Sequence, residues 1–251
     1  MGRWLLVVAA VINQTHLLTD LLAYIVAAIT LKLCLSAFPV SRSPLPEGYG
    51  LFYAVVASIG AAVGSVLLGT ANTWLAGMEM TLAKSVLGAL IGGVLAIELM
   101  KWLYNVRGST GPLLVPGIAL GIAIGRVGCH LAGLDDYTYG VPTESLFGVD
   151  LGDGVLRHPV ALYEAGALAL FFGIYLWLLA VHRPAIVRWG FYLFCGFYGL
   201  QRFGWEQLKP YPDLALGLNV FQFGCLFLLL YAALMVVLDL RSSVESAYEP
   251  V

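Results

Sequence analysis

Apolar runs of about 20 residues, separated by short polar or Pro- and Gly-containing breaks, recur along this chain, and that is the length an α-helix needs to cross a hydrocarbon layer of about 30 Å. Seven such runs can be read: His16–Phe38, Gly48–Thr70, Lys84–Tyr104, Gly111–Gly133, Pro159–Val181, Trp189–Leu208 and Leu214–Leu240. The breaks are short except Leu134–His158, which is rich in Gly, Asp and Thr and reads as a loop. No repeat or low-complexity tract appears. The pattern predicts an all-α, polytopic integral membrane protein with about seven transmembrane helices, forming a single membrane domain over residues 1–251. Ahead of the first run, Arg3 and the apolar stretch Trp4–Ile12 have the outline of a secretory signal. No small-x-small cleavage site follows, so the expectation is an uncleaved segment too short to span.

Composition narrows the reading. Hydrophobic residues make up 60% of the chain and charged ones 11%, where a soluble domain carries about 25% charged residues. With 13 Lys and Arg against 15 Asp and Glu there is no basic field for phosphates, and no nucleic-acid partner is expected. The four cysteines, Cys34, Cys129, Cys195 and Cys225, lie in apolar stretches without CxxC spacing and read as packing thiols. Only Cys129 stands near a cationic residue. Counting Lys and Arg in alternate loops gives 3 on one side and 6 on the other. The richer side should be cytoplasmic, so the N-terminus and Leu134–His158 are expected outside and the C-terminus inside.

Ionisable residues inside spans are costly and point to function. Under this topology Asp20, Lys84, Arg126, His130, Glu164, Arg202 and Glu206 fall toward outer ends, while Lys32 and Glu98 fall toward cytoplasmic ends, where snorkelling explains them. Two arginines at membrane depth are permanently charged forks suited to a phosphate or carboxylate. Arg202 and Glu206, spaced i, i+4, share a helix face and can pair. The competing reading is structural, with each arginine bonded to the protein's own carboxylates and helix-end carbonyls. Gly121, Gly125 and Gly128 thin the helix around Arg126, which lets another helix or a lipid head group approach. His130 reads as a helix-end packing residue. Asp135, Asp136, Asp150 and Asp153 lack EF-hand spacing and read as a solvated acidic loop, so no metal is expected. Trp74, Trp189 and Trp205 read as interface anchors.

Three motifs extend the argument: Gly125-Arg126-Val127-Gly128-Cys129-His130, then Tyr139-Gly-Val-Pro-Thr143, then Arg157-His158-Pro159-Val-Ala-Leu-Tyr163-Glu164. With Tyr198-Gly-Leu-Gln-Arg202-Phe-Gly-Trp-Glu206-Gln-Leu-Lys209-Pro, they resemble the prolipoprotein diacylglyceryl transferase family across most of the chain. The resemblance implies a multi-pass enzyme of the bacterial cytoplasmic (inner) membrane. Such an enzyme takes phosphatidylglycerol, moves its diacylglyceryl group to the lipobox cysteine of a precursor protein, and releases glycerol phosphate; no cofactor is implied. By position, Arg126 and Arg202 match the family's essential arginines, and Glu206 matches an acidic residue one turn later. Lys209 stands where arginine is usual, and His158, Tyr163 and Glu164 match a second signature. Gly125, Gly128, Tyr163, Lys84 and Lys209 are the candidate substrate-binding residues. Leu87-Gly88-Ala89 stand where the family has His-Gly-Gly, and Cys129 where it has asparagine, so the likeness is to a divergent branch.

The chemistry asks for the same residue types. A thiol of pKa about 8.5 attacks as thiolate and needs a base or a positive field, and departure of a phosphate monoester builds charge on oxygens that arginines can stabilise. Arg126 and Arg202 suit that task, and Glu206, Glu164 and His158 are the candidate bases. Two other functions compete: a small-anion transporter, which would need polar lining through the midplane, and a phospholipid-binding relative without turnover.

Overall fold

The computed structural model describes residues 14–38, 48–75 and 82–248. The short N-terminal segment read as too short to span lies outside them. Seven helices occur among the described residues: α1 (Gln14–Ala37), α2 (Gly50–Leu75), α3 (Val86–Leu103), α4 (Val115–Ala132), α5 (Val160–Ala180), α6 (Pro184–Glu206) and α7 (Val220–Tyr248). Six are long and apolar enough to cross a membrane. The other, α6, has the length at 23 residues but interleaves Arg188, Gln201, Arg202 and Glu206 with its apolar positions. Large apolar side chains such as Leu18, Tyr24, Leu67 and Leu230 are exposed along the helices. That outward apolar surface is what a lipid solvent demands, and the all-α polytopic architecture is as the pattern predicts.

Helix ends follow local chemistry. Ser85 caps α3 by accepting from the Gly88 amide at 3.1 Å. Pro184 sits in the first turn of α6, where a missing N–H costs little. α7 begins at Val220 rather than at Leu214, because the chain first closes a tight turn in which Leu216 and Gly217 both take positive φ.

The expected loop Leu134–His158 contains more order than its composition suggests. A 3₁₀ turn at Gly133–Asp136 leads to two short strands, β1 (Val149–Asp150) and β2 (Leu156–Arg157). They pair antiparallel, Val149 opposite Arg157 and Asp150 opposite Leu156. Asp150 Oδ1 accepts the amides of Gly152, Asp153 and Gly154 at 2.8, 3.1 and 3.0 Å. Two-residue strands carry no periodicity, which is why hydropathy misses them.

The chain divides into two compact units. The first comprises residues 1–39, 113–181 and 207–210. In it α4 lies between α1 and α5, and small residues set the approach: a Cβ on Gly117 would meet the Ala27 carbonyl at 2.8 Å, and one on Gly128 would overlap Thr19. The second comprises residues 40–112, 182–206 and 211–251. Its α2 and α3 cross so closely that a Cβ on Gly60, Gly64, Gly88 or Gly92 would run into the facing helix backbone. Without hydrophobic expulsion inside a bilayer, such close van der Waals contact supplies the attraction between helices. α6 meets α7 at Gly199, under the Cys225 carbonyl, and α7 meets α3 where Gly224 receives Leu87.

Polar clamps add to the second unit. Glu98 does not simply snorkel, as its position predicts: it pairs with Lys101 at 2.8 Å and accepts from Tyr231 Oη at 2.7 Å. Asp239 of α7 binds Arg188 and accepts from Trp189 Nε1, the latter at 2.6 Å. Lys32 is exposed, as a snorkelling residue should be.

Candidate active site

Each unit buries one arginine–carboxylate cluster. In the first, Arg126 stands near the C-terminal end of α4, Glu164 in the second turn of α5, and Lys209 in the segment 207–210. The Val141 amide donates to the Leu208 carbonyl at 2.7 Å, which ties that segment to the loop before α5 and carries Lys209 inward. Gly140 permits the crossing, since a Cβ there would press on the His158 backbone and Val160.

Glu164 bridges two cations. Its Oε1 accepts from Lys209 Nζ at 2.7 Å, and its Oε2 lies 2.6 Å from Arg126 Nε. Arg126 and Lys209 are each 5% exposed and Glu164 is 0% exposed. Charges this far out of water are tolerated because they pair. Arg126 Nη1 also contacts Cys129 Sγ at 3.8 Å. Nearby in sequence, His158 Nδ1 lies 3.4 Å from Tyr163 Oη. In the β1–β2 hairpin Arg157 donates to Asp153 at 2.7 Å and stands over the Tyr139 ring. The Arg157 hydrogen bond holds the Asp153 carboxyl below its ordinary range.

In the second unit the i, i+4 pairing read from sequence is present: Arg202 Nη2 lies 2.6 Å from Glu206 Oε1. Asn219 Nδ2 donates to Glu206 Oε2 at 3.4 Å. Asn219 and Gln222 brace each other at the start of α7, each side-chain oxygen accepting the other's amide at 2.9 Å. Arg202 also stands over the Phe221 ring, 5.6 Å from its centroid. This cluster is buried. Asn219 and Gln222 are members that the sequence reading missed, and an Asn-x-x-Gln pair just before an apolar run is the reciprocal capping signal that could have found them.

The remaining candidates separate. Gly125 keeps open space at its Cβ position, beside Arg126, whereas Gly128 packs against Thr19 of α1. Lys84 is exposed just ahead of α3 rather than inside it. His130 is half-buried in the last turn of α4. Trp205, read as an interface anchor, has its indole N–H shielded from solvent, because its helix face is a packed one; Trp74 is exposed. Leu87, where the family motif would put histidine, is a fully buried core residue against Gly224. Cys34, Cys195 and Cys225 are buried free thiols, and Cys129 is half-buried.

The fold and these clusters define a class: polytopic α-helical membrane proteins that bury arginine–carboxylate clusters in their helices. The sequence profile of the prolipoprotein diacylglyceryl transferase family matches residues 18–238, and the chain belongs to that family. It is 32% identical over 174 residues to the phosphatidylglycerol–prolipoprotein diacylglyceryl transferase of Oleidesulfovibrio alaskensis, covering 64% of this chain and 61% of that protein. It is 32% identical over 157 residues to a second such transferase of Clostridium perfringens, covering 59% of each chain. With the Geobacter sulfurreducens transferase the figures are 34% over 144 residues, 55% of this chain and 51% of that one. The chain thus spans between half and about three fifths of the length of these relatives.

Proposed function

We propose that this protein is a phosphatidylglycerol-dependent diacylglyceryl transferase of the bacterial cytoplasmic membrane, acting on the cysteine thiol of a lipobox-containing precursor. The observation that carries the reading is the Arg126–Glu164–Lys209 triad, which gathers two buried cations of the kind that bind phosphate. Their ligand in this reading is the phosphate of phosphatidylglycerol. The acceptor thiolate attacks the diacylglyceryl carbon bonded to the phosphate oxygen; the S–C bond forms, the C–O bond breaks, and glycerol phosphate leaves with the electron pair. Arg126 meets the charge growing on the phosphate oxygens, a contribution of about 3–4 kcal/mol for one well-aimed donor. Glu164 orients both cations, and with its two oxygens occupied it is a poor proton acceptor. Glu206 is likewise engaged, by Arg202 and Asn219. Of the candidate bases, His158 alone stands outside an ion pair among the described residues, so the thiol proton goes to His158, held by Tyr163. Arg202 completes the reading as the second family arginine.

The Lys and Arg asymmetry of 3 against 6 supports an N-terminus outside and a C-terminus in the cytoplasm. A second reading, phospholipid binding without turnover, draws on the buried Leu87 at the family's histidine position. One assay separates the two. Purified protein is given head-group-labelled phosphatidylglycerol and a lipobox peptide. Release of glycerol phosphate together with a thioether-linked peptide is the expected result; lipid binding with neither product would establish the second reading.

A further inference from the structure

A projecting apolar tip stands between α4 and α5 and belongs to neither charge cluster. Residues 141–143 pair with 156–158, the Thr143 amide donating to the Leu156 carbonyl at 2.9 Å and the His158 amide to the Val141 carbonyl at 3.2 Å. The chain then turns at Ser145–Gly148, closed by the Gly148 amide on the Ser145 carbonyl at 2.9 Å. Turn corners are ordinarily Gly, Pro, Asn, Asp or Ser, which suit both the dihedrals and water. Here they are Leu146 and Phe147, 101% and 73% exposed. Leu156, 49% exposed, adjoins them, since a Cβ on Gly148 would lie 3.2 Å from the Leu156 Cβ. Residues 145–149 carry no ionisable side chain. The amides of Ser145 and Phe147 bond to Thr143 Oγ1 at 3.1 Å and Ser145 Oγ at 3.3 Å, which lowers the cost of taking this backbone out of water.

The place of the turn in the chain selects its partner. The 21 residues of α5 extend about 31 Å, the full hydrocarbon thickness, which sets Val160 at its edge. His158 lies just before, and Val141 is bonded to it. Leu146 follows Val141 by five residues, a reach of at most about 17 Å, so the tip stays close to the lipid head groups. Standing upright, the segment would hold three large apolar side chains in water beside a lipid phase. Lying along the surface, it buries them. A projecting tip suits fluid lipid, which closes around it; an extended peptide instead takes a groove or a free strand edge. We infer that the Ser145–Gly148 turn inserts Leu146 and Phe147 into the head-group region of the bilayer and so anchors the segment between α4 and α5 to the membrane surface. The contact requires only that α4 and α5 span a bilayer, and it stands or falls apart from the transferase reading.

Single substitutions Glu144→Cys, Leu146→Cys and Phe147→Cys test this in the whole chain, reconstituted in phosphatidylglycerol–phosphatidylcholine nanodiscs, which leave both membrane faces accessible. A charged maleimide is added, and mass spectrometry follows the peptide carrying the new thiol, apart from the native ones. Leu146→Cys and Phe147→Cys should react about tenfold more slowly than Glu144→Cys, the loss of thiolate when apolar surroundings raise a thiol pKa by about one. Labelled with a fluorophore before reconstitution, the same two positions should be quenched severalfold more strongly than Glu144→Cys by lipids carrying a nitroxide near the head group. Equal reaction at all three positions would leave the turn in water and overturn the insertion. Slow reaction without nitroxide quenching would give the tip to protein, a second copy of the chain, and would overturn it as well. All three side chains are exposed, so unaltered melting temperatures are expected; should Phe147→Cys melt low, Leu146→Cys decides alone.

Discussion

The two buried clusters are built from similar parts and assembled differently. In the second unit, Arg202 and Glu206 come from one helix, one turn apart, with Asn219 donating to the other carboxylate oxygen. In the first, Arg126, Glu164 and Lys209 come from two helices and a connecting segment, and two cations share one carboxylate. The desolvation of such buried charges is offset by mutual attraction and added hydrogen bonds. The difference teaches that helical spacing alone fixes the one pair, whereas only packing brings the other cluster together.

Removing the carboxylates should separate the clusters most. Glu164→Gln leaves two buried cations facing each other, and should cost about 3–5 kcal/mol of stability, the usual penalty for breaking a buried pair. Glu206→Gln leaves one cation still able to bond the new amide and should cost clearly less. Thermal unfolding of both variants in the same detergent measures this, and equal losses would erase the distinction. Next in size is the geometry of the fork. Arg126→Lys keeps the charge but not the bidentate donor set, so turnover should fall about a hundredfold or more, close to the effect of Arg126→Ala. Near-normal turnover in the lysine variant would reduce Arg126 to a general electrostatic contributor.

A smaller effect sharpens the anion argument. Lys209→Met takes one of the two cations from the first cluster without removing Arg126. Saturating phosphatidylglycerol stabilises a specific binder by about 2–3 kcal/mol at a hundredfold excess over Kd. The variant should lose much of that increment over phosphatidylcholine, while wild type keeps it; an unchanged lipid preference would mean Lys209 attracts no lipid. The smallest expected effect lies in the β1–β2 hairpin. Asp153 is held below its ordinary range chiefly by the Arg157 hydrogen bond. A depressed carboxyl contributes above its unfolded pKa and loses that contribution as pH falls through the folded one. Protease nicking between Gly152 and Val155 should therefore be flat from pH 8 to about 5 and rise only below the carboxylate range. In Asp153→Asn nicking should already be higher at pH 8, and its rise at low pH smaller, since only the Asp150 carboxylate still holds the turn.

Much of this molecule is written locally. Helix positions follow from hydropathy because the cost of carrying a polar group into hydrocarbon is set residue by residue. The Arg202–Glu206 pair follows from helical spacing alone. The β1–β2 hairpin was not legible, since two-residue strands leave no pattern, and Lys84 was placed inside a helix that begins two residues later.

What the sequence determined by itself, then, is the solvent, the helices, and the short list of charged residues that had to be accommodated within them. What tertiary structure decided is who answers whom. Lys209 reaches Glu164 across 45 positions of chain, Gly128 is used on Thr19 while Gly125 stays open, and Gln201 is left with no partner among the described residues. Hydropathy sums along the chain, but pairing energies depend on distance and dielectric between groups that only packing brings together.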